Sequence, residues 1–118
     1  MSYFSEKELS CRHCGGYVFD DDFLDTLNSI RTACGFPLRV TSGYRCIYHP
    51  IEAAKDEAGA HCTGKAVDIA VSGEQALELI EQALKHGIKR IGINQKGGAR
   101  FVHLDVADDF PTPAIWTY

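Results

Sequence analysis

Two segments in which aliphatic and polar residues alternate place the strongest constraint on the fold of this chain. Residues 66–71 and 99–106 are both predicted to be β-strands, because every second side chain of a strand lies on the same face. One face of each strand is aliphatic, and the other carries Asp68 in the first strand and His103 and Asp105 in the second. A sheet built from such strands covers a core with one face and keeps a hydrophilic surface on the other.

Helical segments surround these strands. The longest is predicted from Asp20 to Cys34, where apolar residues recur at helical spacing. Potential capping boxes begin two more, at Ser5 with Glu8 and at Ser72 with Gln75. The other predicted elements are strands over 38–41 and 90–93, a loop over 43–65 with a helical turn at 54–58, a hairpin connection over 94–98 and an irregular tail from residue 108. The sequence therefore predicts the α+β class, with a small, mainly antiparallel sheet and helices packed on one face.

Size and charge exclude several kinds of protein. A length of 118 residues fits a single domain over 1–118. The formal net charge of −4 argues against a nucleic-acid partner and against polybasic attachment to a membrane. No apolar run approaches the roughly 20 residues of a membrane-spanning helix, and the first residues lack the pattern of a signal peptide. We therefore expect a monomer that is made in the cytoplasm.

The cysteines offer a first candidate cluster. Five are present, so they cannot all pair within one chain. Cys11 and Cys14, with His13 between them, have the spacing of half a zinc finger, but no second pair follows at the usual distance. They can bind metal adventitiously, form a disulfide with Cys34 or Cys46, or remain structural thiols. The last interpretation is favoured.

A second candidate cluster combines histidine with aspartate. If the strands that carry Asp68 and His103 are neighbours, these side chains converge with His61, which precedes the first of the two strands. An ionised Asp68 on a face of alanines needs a partner. Two imidazoles and one carboxylate are a typical ligand set for a catalytic zinc with an open fourth position, so one zinc per chain is predicted. In the alternative interpretation, Asp68 and His103 simply face solvent.

These residues also carry a resemblance to a known family. The pattern His61-x-x-Gly64-x-Ala66-x-Asp68, followed by His103-x-Asp105, resembles the zinc D-Ala-D-Ala carboxypeptidases. These are peptidoglycan peptidases related to the hedgehog signalling domain. The upstream run Ser42-Gly43-Tyr44-Arg45 matches as well, and the likeness extends from about residue 4 to residue 106. The resemblance implies the fold of that family and a zinc ion held by His61, Asp68 and His103.

The resemblance also implies roles around the metal. Arg45 is expected to reach the active site and to hold a substrate carboxylate or a developing oxyanion, with Ser42 and Tyr44 contributing to substrate binding. Two positions depart from the family pattern: Gly59 replaces a common serine, and Arg100 stands where many members have an acidic general base.

Because that acid is missing, Asp105 is the nearest acidic candidate for catalysis. It lies two residues beyond His103 and is predicted to share its strand face. It can transfer a proton to the leaving amine, or it can orient the imidazole of His103. The residues themselves leave both roles open.

The resulting hypothesis is a zinc peptidase that cleaves peptide bonds near D-alanine in bacterial peptidoglycan, as a carboxypeptidase or an endopeptidase. The small size fits a bacteriophage or prophage lysis enzyme that acts on the cell wall after release. One alternative is a catalytically impaired zinc domain that binds cell-wall peptides, and another is a structural component of a phage particle.

Overall fold

The sheet is assembled from segments that lie far apart in the sequence. The computed structural model describes residues 2–55 and 59–118. Within them, the elements are α1 (Glu6–Leu9), α2 (Asp21–Cys34), β1 (Arg39–Ser42), α3 (Pro50–Ala53), a 3₁₀ turn (Ala60–Thr63), β2 (Ala66–Ala70), α4 (Gly73–Lys85), β3 (Arg90–Asn94), β4 (Phe101–Asp105) and β5 (Ala114–Thr117). The predicted α+β class is confirmed.

Local capping chemistry sets the ends of the helices. Both hydrogen bonds of the predicted capping box at Ser5 form. The Asp20 carboxylate caps α2, and Gly35 ends it at a φ of 76°, in the left-handed region. The capping box predicted at Ser72 is wrong: the Ser72 side chain makes no capping hydrogen bond, and Gly73 follows it at a φ of 57°. Among the described residues, none of the helices has the length and apolar character that crossing a bilayer needs.

The core lies between one face of the sheet and the helices α2 and α4. The strand order is β1-β2-β4-β3-β5, and every pair is antiparallel except β3 with β5. The aliphatic face predicted for β2 and β4 is buried: Val67, Ile69, Val102 and Leu104 are all fully inaccessible. The polar side chains of these two strands consequently lie on the opposite face.

The structure has regular elements in the tail and in the long loop that the sequence did not predict. The tail is not entirely irregular, since β5 pairs in parallel with β3. Such pairing joins segments more than 20 residues apart and leaves no local signal in a run of only four residues. In the long loop, a helical turn lies at Pro50–Ala53, immediately before the predicted one. Three residues of the predicted turn, 56–58, lie outside the described residues.

One row of cross-strand neighbours runs over the polar face of the whole sheet. Ser42 of β1 is opposite Asp68 of β2, which is opposite His103 of β4. His103 is in turn opposite Gly92 of β3, which is opposite Trp116 of β5. We call this set of five residues the polar row. Cross-strand neighbours of this kind have side chains within contact distance.

Gly92 leaves space for aromatic side chains within the polar row. A Cβ atom on Gly92 would lie 2.5 Å from Nε1 of Trp116 and 2.9 Å from the hydroxyl of Tyr118. The Gly92→Ala variant is therefore expected to displace both rings and to lose about 1–3 kcal/mol of stability through overpacking. Since Trp116 is the one tryptophan of the chain, a shift of its fluorescence should accompany a lower melting temperature. The control is Gly98→Ala, where a Cβ would meet nothing within 4 Å; an equal response of both variants would contradict the expectation.

Candidate metal centre

The three residues predicted to bind metal converge on one point of the polar face. His61 comes from the 3₁₀ turn, Asp68 from β2 and His103 from β4. One ligand atom of each lies within 4.8 Å of the other two, and all three residues are buried. The distance from Oδ1 of Asp68 is 3.3 Å to Nε2 of His61 and 2.9 Å to Nδ1 of His103. The antiparallel pairing of β2 with β4 is what produces this arrangement.

Hydrogen bonds on the far side of each imidazole fix its orientation. Nδ1 of His61 lies 2.7 Å from the carbonyl oxygen of Gly43, and a carbonyl only accepts, so this nitrogen carries the proton. Nε2 of His103 lies 2.6 Å from Oδ2 of Asp105 and donates to it. In a neutral imidazole the other nitrogen then has a free lone pair. When both rings are neutral, Nε2 of His61 and Nδ1 of His103 thus present lone pairs towards Asp68.

Three electron-pair donors that face one another require a cation. Burial opposes ionisation of Asp68, but when the two imidazoles are protonated, their hydrogen bonds and positive charge hold the pKa of its carboxyl below its usual range. Burial likewise disfavours the charged imidazole of His103, yet Asp105 and Asp68 raise its pKa. A proton on an imidazole meets the requirement in part. A divalent cation satisfies all three groups at once, so this set of donors is suited to hold the zinc ion of a catalytic site.

Asp105 lies behind His103, away from the converging ligand atoms. It is fully buried, and its carboxylate accepts hydrogen bonds from Nε2 of His103, Nε of Arg90 (2.6 Å) and the amide of Ala107 (3.1 Å). Burial opposes its ionisation, but His103 and Arg90 outweigh that effect and lower the pKa of Asp105. Of the two roles that the sequence leaves open, this position fits the orientation of His103, since no oxygen of Asp105 faces the cleft.

Arg45 reaches the centre as the resemblance implied, and buried partners hold it there. Its Nη2 lies 3.4 Å from Oδ2 of Asp68, its Nε donates to the hydroxyl of Ser42 at 3.0 Å, and its Nη1 lies 3.1 Å from Oε2 of Glu52. Burial would raise the pKa of Glu52, but the amide of Gly59 together with Lys55 and Arg45 lowers it to about 2. Glu52 is therefore an ionised anchor for the guanidinium.

A cleft of about 490 Å³ opens over these residues. Its lining combines the three candidate ligands with Arg45, Lys55 and Arg90 and with aromatic rings from the end of the chain. The ring of Trp116 lies 5.3 Å from that of His103, and Tyr118 lies 5.0 Å from Phe101. We call the part of the lining formed by Phe101, Trp116 and Tyr118 the aromatic side of the cleft; the guanidinium of Arg90 lies 5.0 Å from the centre of the Trp116 ring.

Two of the remaining predicted positions lie elsewhere or have a packing explanation. Tyr44 lies towards Gly16 and the cysteines, so the structure does not bring it to the cleft with Arg45. Gly59 packs directly against Glu52: a Cβ there would lie 2.9 Å from Oε1 of that carboxylate. This close contact accounts for glycine at a position where the family commonly has serine.

Arg100, at the position of the family's acidic base, is exposed and donates to the carbonyl oxygen of Gly97. It precedes β4 and lies outside the cleft lining.

Three of the five cysteines form a second group, outside the lining of the cleft. The sulfur atoms of Cys11, Cys14 and Cys46 lie within 4.8 Å of one another. We call these three residues the thiol cluster. Cys34, one of the two partners that the sequence left open for a disulfide, lies at the end of α2 and is not a member.

Sequence reasoning missed five polar or aromatic residues of the site: Glu52, Lys55, Arg90, Trp116 and Tyr118. Alternation within β3 could have indicated Arg90, because Ile91 and Ile93 define the core face of that strand. Glu52 has no such signal. Its burial depends on contacts with Arg45 and with Gly59, both distant in the loop.

Comparisons with known proteins agree with this geometry. The family model described as Peptidase M15 matches residues 2–105, which include all three candidate ligands and Arg45. No curated protein matches the chain significantly.

Proposed function

We propose that this chain, which belongs to the peptidase M15 family of zinc metallopeptidases, hydrolyses peptide bonds next to D-alanine in bacterial peptidoglycan peptides. One observation carries the proposal: three oriented ligand groups converge beside an arginine at the base of an open cleft. The family match supports the peptidase chemistry, and the arginine supports a substrate with a carboxylate near the bond that is cleaved.

His61, Asp68 and His103 are the residues that would hold the zinc. Zinc at such a site polarises a peptide carbonyl and lowers the pKa of a bound water. The protein orients the ligands for this task. The carbonyl of Gly43 fixes His61, and Asp105 fixes His103 and stabilises positive charge on its ring.

Arg45 is proposed to bind the substrate. Its three observed hydrogen bonds use one N–H group on each nitrogen and leave two N–H groups of the guanidinium for other acceptors. A carboxylate or a developing oxyanion is the natural partner for them. Trp116 and Tyr118 would then contact the apolar part of the peptide on the aromatic side of the cleft.

A non-catalytic binding domain is the second candidate, and the cleft lining favours it in one respect. Within residues 2–55 and 59–118, Asp68 is the carboxylate that lines the cleft, and it belongs to the ligand set. A zinc peptidase usually has a separate acid or base within reach of the substrate. A domain without one would bind cell-wall peptides tightly and turn them over slowly or not at all.

The experiment that separates these candidates uses zinc-loaded protein and purified stem peptides that end in D-Ala-D-Ala. Mass spectrometry would detect released D-alanine if the protein is a carboxypeptidase. With cross-linked peptide dimers as a second substrate, it would detect the separated monomers if the protein is an endopeptidase. Both products should disappear after chelation and return with zinc. Tight peptide binding without any product would contradict the enzyme and support the binding domain.

The Arg45→Lys variant is expected to separate carboxylate recognition from the rest of the reaction. Lysine keeps the charge but loses the forked geometry that pairs with a carboxylate. We expect kcat/KM for a peptide with a free C-terminus to fall by about 100-fold, equivalent to a charged hydrogen-bond pair of roughly 3 kcal/mol. A C-terminally amidated peptide should be cleaved equally well by both proteins. An equal loss on both peptides would show that Arg45 acts on the developing oxyanion instead.

The roles as a phage lysis enzyme and as a monomer, and action on the wall after release from the cytoplasm, stay predictions of the sequence. Lysis of cell-wall suspensions by the added protein, together with its mass in solution, would test them.

A further inference from the structure

The thiol cluster is built by two backbone segments that meet beside α1. Cys11 and Cys14 lie in a tight turn that is closed by hydrogen bonds from the Cys11 amide to Gly16 and from the Gly15 amide to Cys11. Cys46 comes from the loop after β1. The amide of Tyr44 donates to the carbonyl of Leu9 at 2.9 Å and holds that loop against the end of α1.

Backbone amides surround the sulfur atoms. The amides of His13 and Cys46 lie 3.4 Å and 3.3 Å from Sγ of Cys11, and the amide of Gly16 lies 3.3 Å from Sγ of Cys14. N–H groups directed at sulfur favour the thiolate, which is the form that binds metals. The N–H groups around Cys11 and Cys14 would therefore stabilise negative charge on their sulfur atoms.

A fourth donor lies beside the three sulfurs. Nδ1 of His13 is 3.6 Å from Sγ of Cys46. Thiolates bound tetrahedrally at about 2.3 Å from zinc are about 3.8 Å from one another, which is compatible with sulfurs that already lie within 4.8 Å. We propose that Cys11, Cys14, Cys46 and His13 hold a second metal ion, zinc or another thiophilic divalent cation, in a closed structural site.

The proposed site differs from the candidate catalytic centre in its ligand atoms and in its structural role. It contains sulfur and shares no side chain with the His61–Asp68–His103 set. Binding releases the thiol protons to solvent and crosslinks the turn after α1 to the loop that carries Arg45. A disulfide would join only two of the three thiols and would leave the third beside it.

Cobalt is the probe that distinguishes the two sites. Reduced, metal-free protein titrated with Co²⁺ should develop thiolate-to-cobalt charge-transfer absorption in the near ultraviolet, which a site of two imidazoles and a carboxylate cannot give. Zinc should abolish the absorption. The His61→Ala variant should retain it, so the result does not depend on the proposed peptidase function.

Matched variants assign the ligands. At saturating cobalt, Cys14→Ser should lose about a third of the charge-transfer absorption, because one of three thiolates is removed, whereas Cys34→Ser, which changes a thiol outside the cluster, should keep all of it. His13→Ala should keep the sulfur absorption but bind cobalt at least ten-fold more weakly.

Three results would overturn the proposal. They are absence of the absorption in fully reduced wild-type protein, an undiminished absorption in folded Cys14→Ser, and unchanged cobalt affinity in His13→Ala. A disulfide among these thiols in protein purified without reductant, with no cobalt absorption after reduction, would identify a redox crosslink in place of the metal.

Discussion

The His61→Ala variant is expected to lose both its catalytic zinc and its peptidase activity. His61 supplies one of three ligands, and its removal leaves a buried carboxylate and a single imidazole to hold the ion. A catalytic metal contributes several kcal/mol to stabilisation of the transition state, so kcat/KM should fall on the order of 1,000-fold or more. Metal analysis and hydrolysis of stem peptides by the same preparation measure the two losses together.

The matched control for this variant is His86→Ala. His86 is exposed at the end of α4, and its Nδ1 bonds to the carbonyl of Gln82 in its own helix. The His86→Ala variant should keep the full metal content and peptidase activity of the wild-type protein. If His61→Ala retained wild-type hydrolysis while folded, the assignment of the catalytic ligands would be wrong.

The Asp105→Asn variant is expected to weaken zinc binding by about 10–100-fold, the usual effect of losing a partner that orients a metal-bound histidine. The amide has a single accepting oxygen, so it cannot accept from both His103 and Arg90 as the carboxylate does, and it leaves the buried guanidinium of Arg90 without its counter-charge. Loss of stability should accompany the weaker binding, since removal of one partner of a buried ion pair costs about 3–5 kcal/mol. Competition with a zinc chelator and thermal unfolding measure the two effects.

The pH profile separates the two roles of Asp105. If Asp105 only orients His103, the Asp105→Asn variant should bind zinc more weakly. Its activity at saturating zinc should then recover, with an unchanged pH profile. A proton-transferring residue instead changes kcat at saturating zinc and removes one limb of the profile. Asp108→Asn is the control, because that carboxylate is 86% exposed and only approaches Lys65 at 3.8 Å.

The convergence of the candidate ligands could be predicted from sequence because strand alternation is a local signal with a definite consequence. Asp68 and His103 each stand among residues that mark the opposite face as the core, so pairing of their strands was enough to bring them together. The role of Asp105 could not be resolved in the same way. It depends on Arg90, which reaches Asp105 only through the pairing of β3 with β4.

The aromatic side of the cleft and Glu52, the anchor of Arg45, could not be predicted from the sequence for a related reason. Trp116 joins the polar row through a parallel pairing across more than 20 residues, and it fits only because Gly92 lacks a side chain. Glu52 would be read as a surface residue of a helical turn. Its burial follows from the loop folding over Arg45 and Gly59, an arrangement of distant contacts.

Because the candidate ligands belong to the polar row, their relative positions depend on the register of the strands. A slip of β4 by one residue would turn His103 into the core and bring Leu104 to the ligand position, because neighbouring residues of a strand face opposite sides. What prevents the slip is the packing of Val102 and Leu104 beneath the sheet, where both are fully buried. Residues that never meet zinc or peptide therefore select the active alignment, and mutations among them can silence the enzyme while leaving every ligand in the sequence.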